Sequence, residues 1–473
     1  MGCHAGGVRS ASRAAEDPLG VLSDPAAHSS TKERAVEVVA QMARNGEMDS
    51  AVVREVLKRT AWGRGNRPNV RNAAIDELLA DDATDTARML SLLLPTESQW
   101  GVIEHVCDLA VESNNTELIP ALVRSWTRFV QRPSDEDRPE RAALVALAPG
   151  VPVERTIFGV FATVHDPDDH FGERTRRDAW TLLSRIDPDG SMARDFVAQA
   201  PDASDDPLLA DLQVAARDLG AIPLTTEQLD WVEELRKPAH AEFWERGKTI
   251  VASLGADQRE GFELRHVVGV LWASEHREGW LGVSRNEMLS GLTTELAGRR
   301  HTRRTADFPD AMTGPRETID HWGGDLVWGD ALLMRIALTA ITDTGVIREL
   351  YEQADHDKRD ESTEHGGVLD ADPEGGFVAY SYPPRPAQRA GDNRFIASQE
   401  LIDAGNAALF HYHFHAQEFN NDEYAGPGVG DLEYARRFGR SCLVLTFTSS
   451  KTLGVDYYQP DGARIDLGAI VRP

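Results

Sequence analysis

Three histidines alternate with aromatic residues in the run Leu409–His415. On a β-strand this spacing places His411, His413 and His415 on one face and the aromatic side chains on the other. Two imidazoles two residues apart can then reach one zinc ion at about 2.0–2.1 Å. The alternation therefore predicts a metal site, with either His413 and His415 or His411 and His413 as the pair. The alternative is that one or two of these histidines are hydrogen-bonded core residues.

Asp431 is the best candidate for a third metal ligand. It follows the glycine-rich turn Gly426–Gly430 and stands where the predicted helix Leu432–Phe438 begins. A catalytic zinc takes three protein ligands and keeps one position for water, so one further carboxylate would complete the set. The same position is also typical of a helix N-cap, which is the alternative interpretation of Asp431.

Glu364 could serve the same site as a proton carrier. It lies in Thr363–Leu369, just before two glycines that let the backbone approach a neighbour closely. A carboxylate beside a zinc site can take the proton of an attacking water. Taken alone, a glutamate before such a turn is typical of an ordinary surface.

The ordered set Glu364, His413-x-His415 and Gly428-x-x-Asp431 resembles the JAB/JAMM family of zinc-dependent hydrolases. That family has a glutamate on an early strand, a His-x-His on a later strand and a Ser-x-x-Asp that opens a helix. The resemblance implies that His413, His415 and Asp431 bind one zinc ion per chain and that Glu364 is the general acid and base. Gly428 stands in the place of the family's serine, whose hydroxyl would be worth roughly 2.7–4 kcal/mol as an oxyanion donor.

Short β-type runs bounded by glycine and proline follow Ser362 and would position these residues. The runs are Gly367–Leu369, Gly376–Tyr380, Ala408–His415, Cys442–Thr448, Leu453–Tyr458 and Arg464–Gly468. One long amphipathic helix is predicted over Trp328–Glu352, before Glu364. These elements predict a JAMM-like α/β domain over residues 327–473.

The rest of the chain is predicted to be helical. From 32 to 222 apolar residues recur at three- and four-residue spacing. Two segments, Val70–Leu79 and Arg176–Leu183, share an Arg-polar-Ala pattern that resembles the second helix of HEAT repeats, which stack into an α-solenoid. We predict a flexible tether over 1–31 and a tryptophan-rich helical region over 223–326. The predicted fold is therefore multidomain, an α-solenoid-like region followed by a JAMM-like α/β domain.

Composition excludes several classes of partner and site. The 473 residues include 77 acidic and 50 basic side chains, a net charge of −27 that disfavours nucleic acid as a partner. No stretch approaches the about 20 apolar residues of a membrane-spanning helix. The cysteines Cys3, Cys107 and Cys442 are too far apart for a thiolate zinc motif. A metal site must therefore use histidines and carboxylates.

The N-terminus leaves two locations open. No apolar segment precedes Cys3 in this reading frame, which predicts a cytoplasmic protein. A Gly-Cys dipeptide that leads into a flexible tether also resembles the mature start of a bacterial lipoprotein. If the true start lies upstream, the protein would be anchored to a membrane through Cys3.

The functional prediction is a zinc-dependent metallopeptidase or isopeptidase that acts on a protein or peptide substrate. The helical repeats would bind a protein partner, because stacked repeats form concave binding surfaces. One alternative is a non-catalytic helical-repeat scaffold with a degenerate JAMM-like domain, which Gly428 favours. Another is a metal-dependent hydrolase of a different bond, because zinc chemistry does not fix the substrate.

Overall fold

A computed structural model describes residues 12–164, 171–203, 205–301, 317–372 and 374–473. The chain divides into two compact units, Met1–Asp187 and Pro188–Pro473. The first unit is helical, and the second combines helices with a six-stranded mixed sheet. The predicted order of a helical region followed by an α/β region is confirmed. Cys3, on which the proposed lipid anchor depends, lies outside the described residues.

The helices of the first unit are α1 (Pro18–Ser23), α2 (Ser29–Arg44), α3 (Ser50–Trp62), α4 (Pro68–Asp81), α5 (Ala83–Leu93), α6 (Trp100–Glu112), α7 (Ile119–Thr127), α8 (Pro139–Leu147), α9 (Val153–Ala162) and α10 (Gly172–Ile186). Short 3-10 turns precede α6 at Leu94–Thr96 and α7 at Thr116–Leu118.

The helices of the second unit are α11 (Ser191–Gln199), α12 (Pro207–Leu219), α13 (Thr226–Leu235), α14 (Ala241–Ser253), α15 (Ala256–Arg259), α16 (His266–His276), α17 (Arg285–Ala297), α18 (Ile319–Trp322), α19 (Trp328–Ala340), α20 (Thr344–Asp357), α21 (Gln399–Ala404) and α22 (Val429–Phe438). Further 3-10 turns lie at Pro238–His240, Glu278–Gly282, Pro386–Gln388 and Asp422–Tyr424. Within the described ranges, no helix of either unit has the length and apolarity needed to cross a membrane.

The structure differs from the tether predicted over residues 1–31, because α1 lies inside it and α2 begins before its end. Asp17 caps α1 by accepting a backbone N–H of the first turn at 2.9 Å. Pro18 suits the first helical position, where no intrahelical donor is needed. Val21 is buried in an apolar cluster with Ala35 of α2. This contact gives the short helix a core to pack against.

Two buried arginines occupy equivalent places in the segments that resemble each other. Arg71 Nε donates to the Ala61 carbonyl at 2.6 Å, and Arg176 Nε donates to the Phe161 carbonyl at 2.7 Å. Each acceptor lies in the last turn of the preceding helix, α3 or α9. A buried alanine follows three residues after each arginine. The shared pattern is therefore Arg-x-x-Ala, one residue longer than the predicted one, and the HEAT-type solenoid stays a prediction.

The sheet has the strand order β2-β1-β3-β4-β5-β6. Its strands are β1 (Gly366–Ala371), β2 (Phe377–Ser381), β3 (Phe410–His415), β4 (Cys442–Ser449), β5 (Thr452–Tyr458) and β6 (Arg464–Val471). Only β3 and β4 are parallel among these neighbouring pairs. A parallel pair needs a crossover connection, and α22 lies in it. Each predicted β-type run overlaps one of these strands.

The structure also differs from the domain boundary predicted between residues 326 and 327. One apolar core extends from Ala215 to Ile470 and includes both the tryptophan-rich helices and the inner face of the sheet. Trp272 of α16 stacks on Phe377 of β2, with ring centroids 5.0 Å apart. The helices over 223–326 pack on the sheet, so they belong to the same unit as the strands.

The helix predicted over Trp328–Glu352 is two helices, α19 and α20. The first ends at Ala340, and Asp343 caps the second, because its carboxylate accepts two backbone N–H groups of α20 at 2.7 and 3.2 Å. At the other end of α20, Asp357 Oδ1 accepts the backbone N–H of His365 at 2.5 Å. The C-terminus of α20 thereby fixes the backbone next to Glu364.

A buried polar network joins the helices to the sheet. Asp330 Oδ1 lies 2.6 Å from Arg265 and 2.9 Å from His266 Nε2, and its other oxygen accepts Gln459 Nε2 at 3.2 Å. Arg265 also donates to Ser441 Oγ, directly before β4, at 3.1 Å. Burial would raise the pKa of Asp330, but the Arg265 and His266 side chains lower it well below its usual range. The ionised Asp330 carboxylate therefore stabilises the contact between the helices and the sheet.

We predict that Asp330→Ala destabilises the second unit by up to about 3–5 kcal/mol, because it removes the buried carboxylate that faces the Arg265 guanidinium and leaves Glu263 as its remaining ionic partner. Hydrogen exchange of the β4 and β5 amides in urea measures the change. Arg385→Met is the control, since it removes an exposed ion pair with Glu400 and should cost less than about 1 kcal/mol. Equal exchange in the two variants would contradict the prediction.

The same substitution has a predictable pH dependence. The folded state lowers the pKa of Asp330, so the ionised carboxylate stabilises the fold above the unfolded pKa of about 3.9. This stabilisation is lost as the pH falls towards the folded pKa. The stability difference between the wild type and Asp330→Ala should therefore shrink below about pH 4.

Candidate metal centre

β3 lies inside the sheet and separates its side chains by face. Gly366 of β1 and Val444 of β4 are the register partners of His413. The aromatic residues of β3 are at most 1% exposed and belong to the apolar core; they are Phe410, Tyr412 and Phe414. The predicted alternation is confirmed, and the histidines occupy the opposite face.

Two imidazole nitrogens and one carboxylate meet beyond the histidine face. His413 Nε2 and His415 Nε2 lie 3.2 Å apart. The Asp431 carboxylate lies beside both nitrogens, with Oδ1 at 3.2 Å from His413 Nε2 and Oδ2 at 3.6 Å from His415 Nε2. Donors bound to one zinc at about 2.0–2.1 Å with tetrahedral angles stand about 3.3–3.4 Å apart. The observed distances are close to this value, so the three side chains suit a shared zinc ion.

The second ring nitrogen of each histidine has its own partner. His415 Nδ1 lies 2.7 Å from the backbone carbonyl of Tyr424, which can only accept. His415 therefore keeps its proton on Nδ1 and turns the lone pair of Nε2 towards the other donors. His413 Nδ1 lies 3.3 Å from the Tyr458 hydroxyl. Such outer partners commonly orient metal-binding histidines and fix their tautomers.

Phe395 covers the ring of His413. The two rings are nearly parallel, with an interplanar angle of 15° and centroids 5.2 Å apart. This approach depends on Gly366, where an added Cβ would lie 2.5 Å from both the Phe395 ring and the Tyr412 carbonyl. This glycine at the first position of β1 therefore lets an aromatic ring shield a candidate ligand from solvent.

Asp431 lies at the third position of α22, and Gly428 is the N-cap residue. Asp431 Oδ2 accepts the Gly428 backbone N–H at 2.7 Å, which orients the carboxylate towards the histidines. Burial would raise the pKa of Asp431, but His413, His415 and the Gly428 N–H together lower it well below its usual range. The Asp431 carboxylate can therefore cap the start of α22 and also serve as a metal ligand.

Glu364 faces the same histidines from the segment just before β1. One ligand atom each from Glu364, His413 and His415 lies within 4.8 Å of the others. Glu364 Oε1 accepts a hydrogen bond from Gln417 Nε2 at 2.9 Å. Burial is the main cause that raises the pKa of Glu364 to about 7, with a further contribution from the Asp431 charge. A carboxyl with this pKa can both accept and donate a proton near neutral pH.

Negative charge dominates the environment of His413. Burial disfavours its protonated form, but Asp431 and Glu364 raise the pKa of the imidazole above its ordinary value. A raised imidazole pKa marks a place where the neighbouring carboxylates stabilise positive charge. A divalent cation at the three donors would satisfy the same field more fully.

His411 is directed elsewhere, although it shares the strand face. Its Nδ1 lies 2.7 Å from the Tyr434 hydroxyl, and the residue is buried. Burial lowers the pKa of His411 well below its ordinary value, and Arg440 contributes to the shift. The structure therefore brings His413 and His415 together with the two carboxylates, and places His411 in a separate polar contact.

A cavity of about 910 Å³ opens onto the candidate centre. Its wall includes Glu364, His415 and Asp431, together with the loop residues Arg394 and Tyr424. His413 is 1% exposed and lies behind them. A substrate group in this cavity would reach the donors from the side of Glu364 and His415.

Sequence reasoning missed Tyr458, Phe395 and Gln417. Tyr458 ends β5 and lies 45 positions from its histidine partner in the chain. Phe395 and Gln417 lie in irregular segments between elements. No periodic pattern marks any of the three, although the proximity of Gln417 to His415 was a weak signal.

We predict that Tyr458→Phe weakens zinc binding about 10–100-fold, because the variant loses the hydroxyl that orients His413. Competition with a chelating dye measures the dissociation constant. Tyr434→Phe is a matched control, since it removes a hydroxyl from His411 Nδ1 instead. Equal affinities in both variants and the wild type would contradict the assigned role of Tyr458.

Comparison of the chain with models of protein families, with curated proteins and with solved structures finds no match. The geometry and chemistry of the candidate centre are therefore the basis for a functional proposal.

Proposed function

We propose that the second unit is a zinc-dependent hydrolase of peptide or isopeptide bonds. The single observation that carries the proposal is the cluster of His413, His415 and Asp431. The two Nε2 atoms lie 3.2 Å apart, and Asp431 Oδ1 and Oδ2 lie 3.2 Å and 3.6 Å from His413 Nε2 and His415 Nε2. A neutral-range carboxyl, Glu364, stands beside it. Two imidazoles and one carboxylate are a ligand set that catalytic zinc sites use.

The residues present fit the ion that the JAB/JAMM resemblance implies. His413 and His415 would hold it through Nε2, and Asp431 through its carboxylate. A zinc ion supplies Lewis acidity for a scissile carbonyl and activates a water molecule near neutral pH. The backbone carbonyl of Tyr424 and the Gly428 N–H keep two of these ligands oriented.

Glu364 would move the proton. As the oxygen of water bonds to the carbonyl carbon, the Glu364 carboxylate accepts the proton that the water loses. When the carbon–nitrogen bond breaks, the Glu364 carboxyl gives a proton to the leaving amine. Burial raises the pKa of Glu364 above its ordinary value, which favours proton uptake by this carboxylate.

The substrate class follows from the cavity and from the resemblance. A wall that combines carboxylates, two arginines and aromatic side chains suits a polypeptide better than a purely apolar ligand. The proposed substrate is a protein or peptide tail, and the helical repeats would hold a protein partner. The cytoplasmic location expected from the sequence belongs to the same proposal.

A non-catalytic scaffold is the second candidate, and one observation favours it. Gly428 has no side chain, and its backbone N–H is already engaged by Asp431. That group is therefore not available to replace the serine hydroxyl of the family. In this alternative, the metal would stabilise the domain without turnover.

We predict that Glu364→Gln lowers kcat by about 10²–10⁴-fold, because the amide cannot carry the proton. Zinc content should stay at the wild-type level, since the three ligands are intact. Kinetics on a panel of peptide and isopeptide substrates, with metal analysis of the same samples, measures both effects. Glu400→Gln, on the exposed surface of α21, is the charge-matched control. Full turnover in Glu364→Gln would contradict the assigned role.

We also predict that Gly428→Ser raises kcat by at least about tenfold. For comparison, removing one fully formed oxyanion donor from an enzyme lowers kcat by about 10²–10³-fold. The backbone there has φ −78° and ψ 179°, which serine adopts readily. An added Cβ would stand 3.5 Å from Asp431 Oδ2, an ordinary contact. Gly428→Ala separates the hydroxyl from the added carbon. Equal kcat values for the serine and alanine variants would show that the hydroxyl contributes nothing.

A further inference from the structure

We propose that Gln417 is a positioning residue that holds Oε1 of Glu364 and assigns proton uptake to Oε2. The catalytic part of this inference rests on the proposed hydrolase function, and the geometric part stands without it. Gln417 Nε2 donates to Glu364 Oε1 at 2.9 Å. The same amino group donates to the backbone carbonyl of Asp392.

The other end of the Gln417 amide is held as firmly. Gln417 Oε1 accepts Asn421 Nδ2 at 2.7 Å, and the same Asn421 Nδ2 donates to the His415 carbonyl at 3.2 Å. The Asn421 backbone N–H donates to the Phe447 carbonyl of β4 at 2.8 Å. Asn421 is 4% exposed, so its hydrogen bonds are shielded from water.

These contacts decide which way both amides point. A backbone carbonyl can only accept, so the His415 carbonyl requires the amino group of Asn421 on its side. The same Asn421 amino group donates to Gln417, so Gln417 must accept this hydrogen bond through its side-chain oxygen. The Asp392 carbonyl independently requires the amino group of Gln417 on the opposite side. Two backbone carbonyls thus exclude the flipped arrangement in which Gln417 would present oxygen to Glu364.

The consequence for Glu364 is an asymmetric carboxylate. An N–H donor at Oε1 stabilises charge there and disfavours a proton on that oxygen. A proton taken from water therefore goes to Oε2. The Gln417 amide belongs to a series of hydrogen bonds that ends at the Phe447 carbonyl of β4 and at the His415 carbonyl. It therefore also fixes the position of the Glu364 carboxylate relative to His415, a candidate metal ligand.

A spectroscopic experiment tests the geometry without any substrate. In protein labelled with ¹⁵N-glutamine, loss of one side-chain signal in Gln417→Met identifies the Gln417 amide. We expect this amide to exchange with solvent at least about tenfold more slowly than that of Gln399, which lies on the exposed surface of α21. Its proton shift should move in Glu364→Ala. Exchange as fast as that of Gln399, with no response to Glu364→Ala, would overturn the proposal.

Kinetics test the catalytic consequence. Gln417→Met keeps the length of the side chain and removes the donor. We expect kcat to fall about 10–100-fold with KM nearly unchanged, and zinc affinity to stay within about twofold of the wild type. In a Glu364→Gln background, Gln417→Met should cause no further loss, because both act on one step. Gln399→Met is the matched control and should keep wild-type kinetics.

The outcomes separate this inference from the function on which it rests. If the wild type hydrolyses no peptide or isopeptide, the proposed function fails, and the amide signal alone decides whether Gln417 holds Glu364. If the wild type is active and Gln417→Met matches it, the positioning role fails and the hydrolase proposal stands. Additive losses in the double variant would mean a general structural role and would overturn the inference.

Discussion

The hydrogen-bonded placement of β3 between β1 and β4 is the constraint on which the candidate centre depends. A strand held on both edges cannot rotate, so its two-residue period sends aromatic side chains into the core and histidines to the other face. A register slip of one residue would exchange the faces and bury the imidazoles among apolar groups. The burial of Phe410, Tyr412 and Phe414 therefore holds His413 and His415 in place.

Each polar group of the centre is oriented by a different part of the fold. The partners are the Tyr424 carbonyl for His415, the Tyr458 hydroxyl for His413, the Gly428 N–H for Asp431 and the Gln417 amide for Glu364. Buried ionisable groups without such support would be costly and mobile. The side chains are already oriented by these hydrogen bonds, so a cation would balance the negative charge without rearranging them.

Local patterns made part of this structure predictable. The alternation of β3 and the helix start near Asp431 depend on neighbouring residues, so sequence alone located them. A glutamate before two glycines is common and marks no site by itself. Glu364 became a candidate only because it precedes His413, His415 and Asp431 in the order that the resemblance requires. The orienting roles of Tyr458 and Gln417 arise from tertiary contacts that no local pattern encodes. The boundary near residue 326 differed for the same reason, because the tryptophan-rich helices pack on strands far along the chain.

The metal content of the purified protein tests the central claim most directly. The measurement is inductively coupled plasma mass spectrometry after reconstitution with zinc, on the wild type, a His413→Ala/His415→Ala double variant and His411→Ala. The account predicts one zinc per chain in the wild type and in His411→Ala, and none above background in the double variant. Equal zinc in the wild type and the double variant, or none in either, would contradict it.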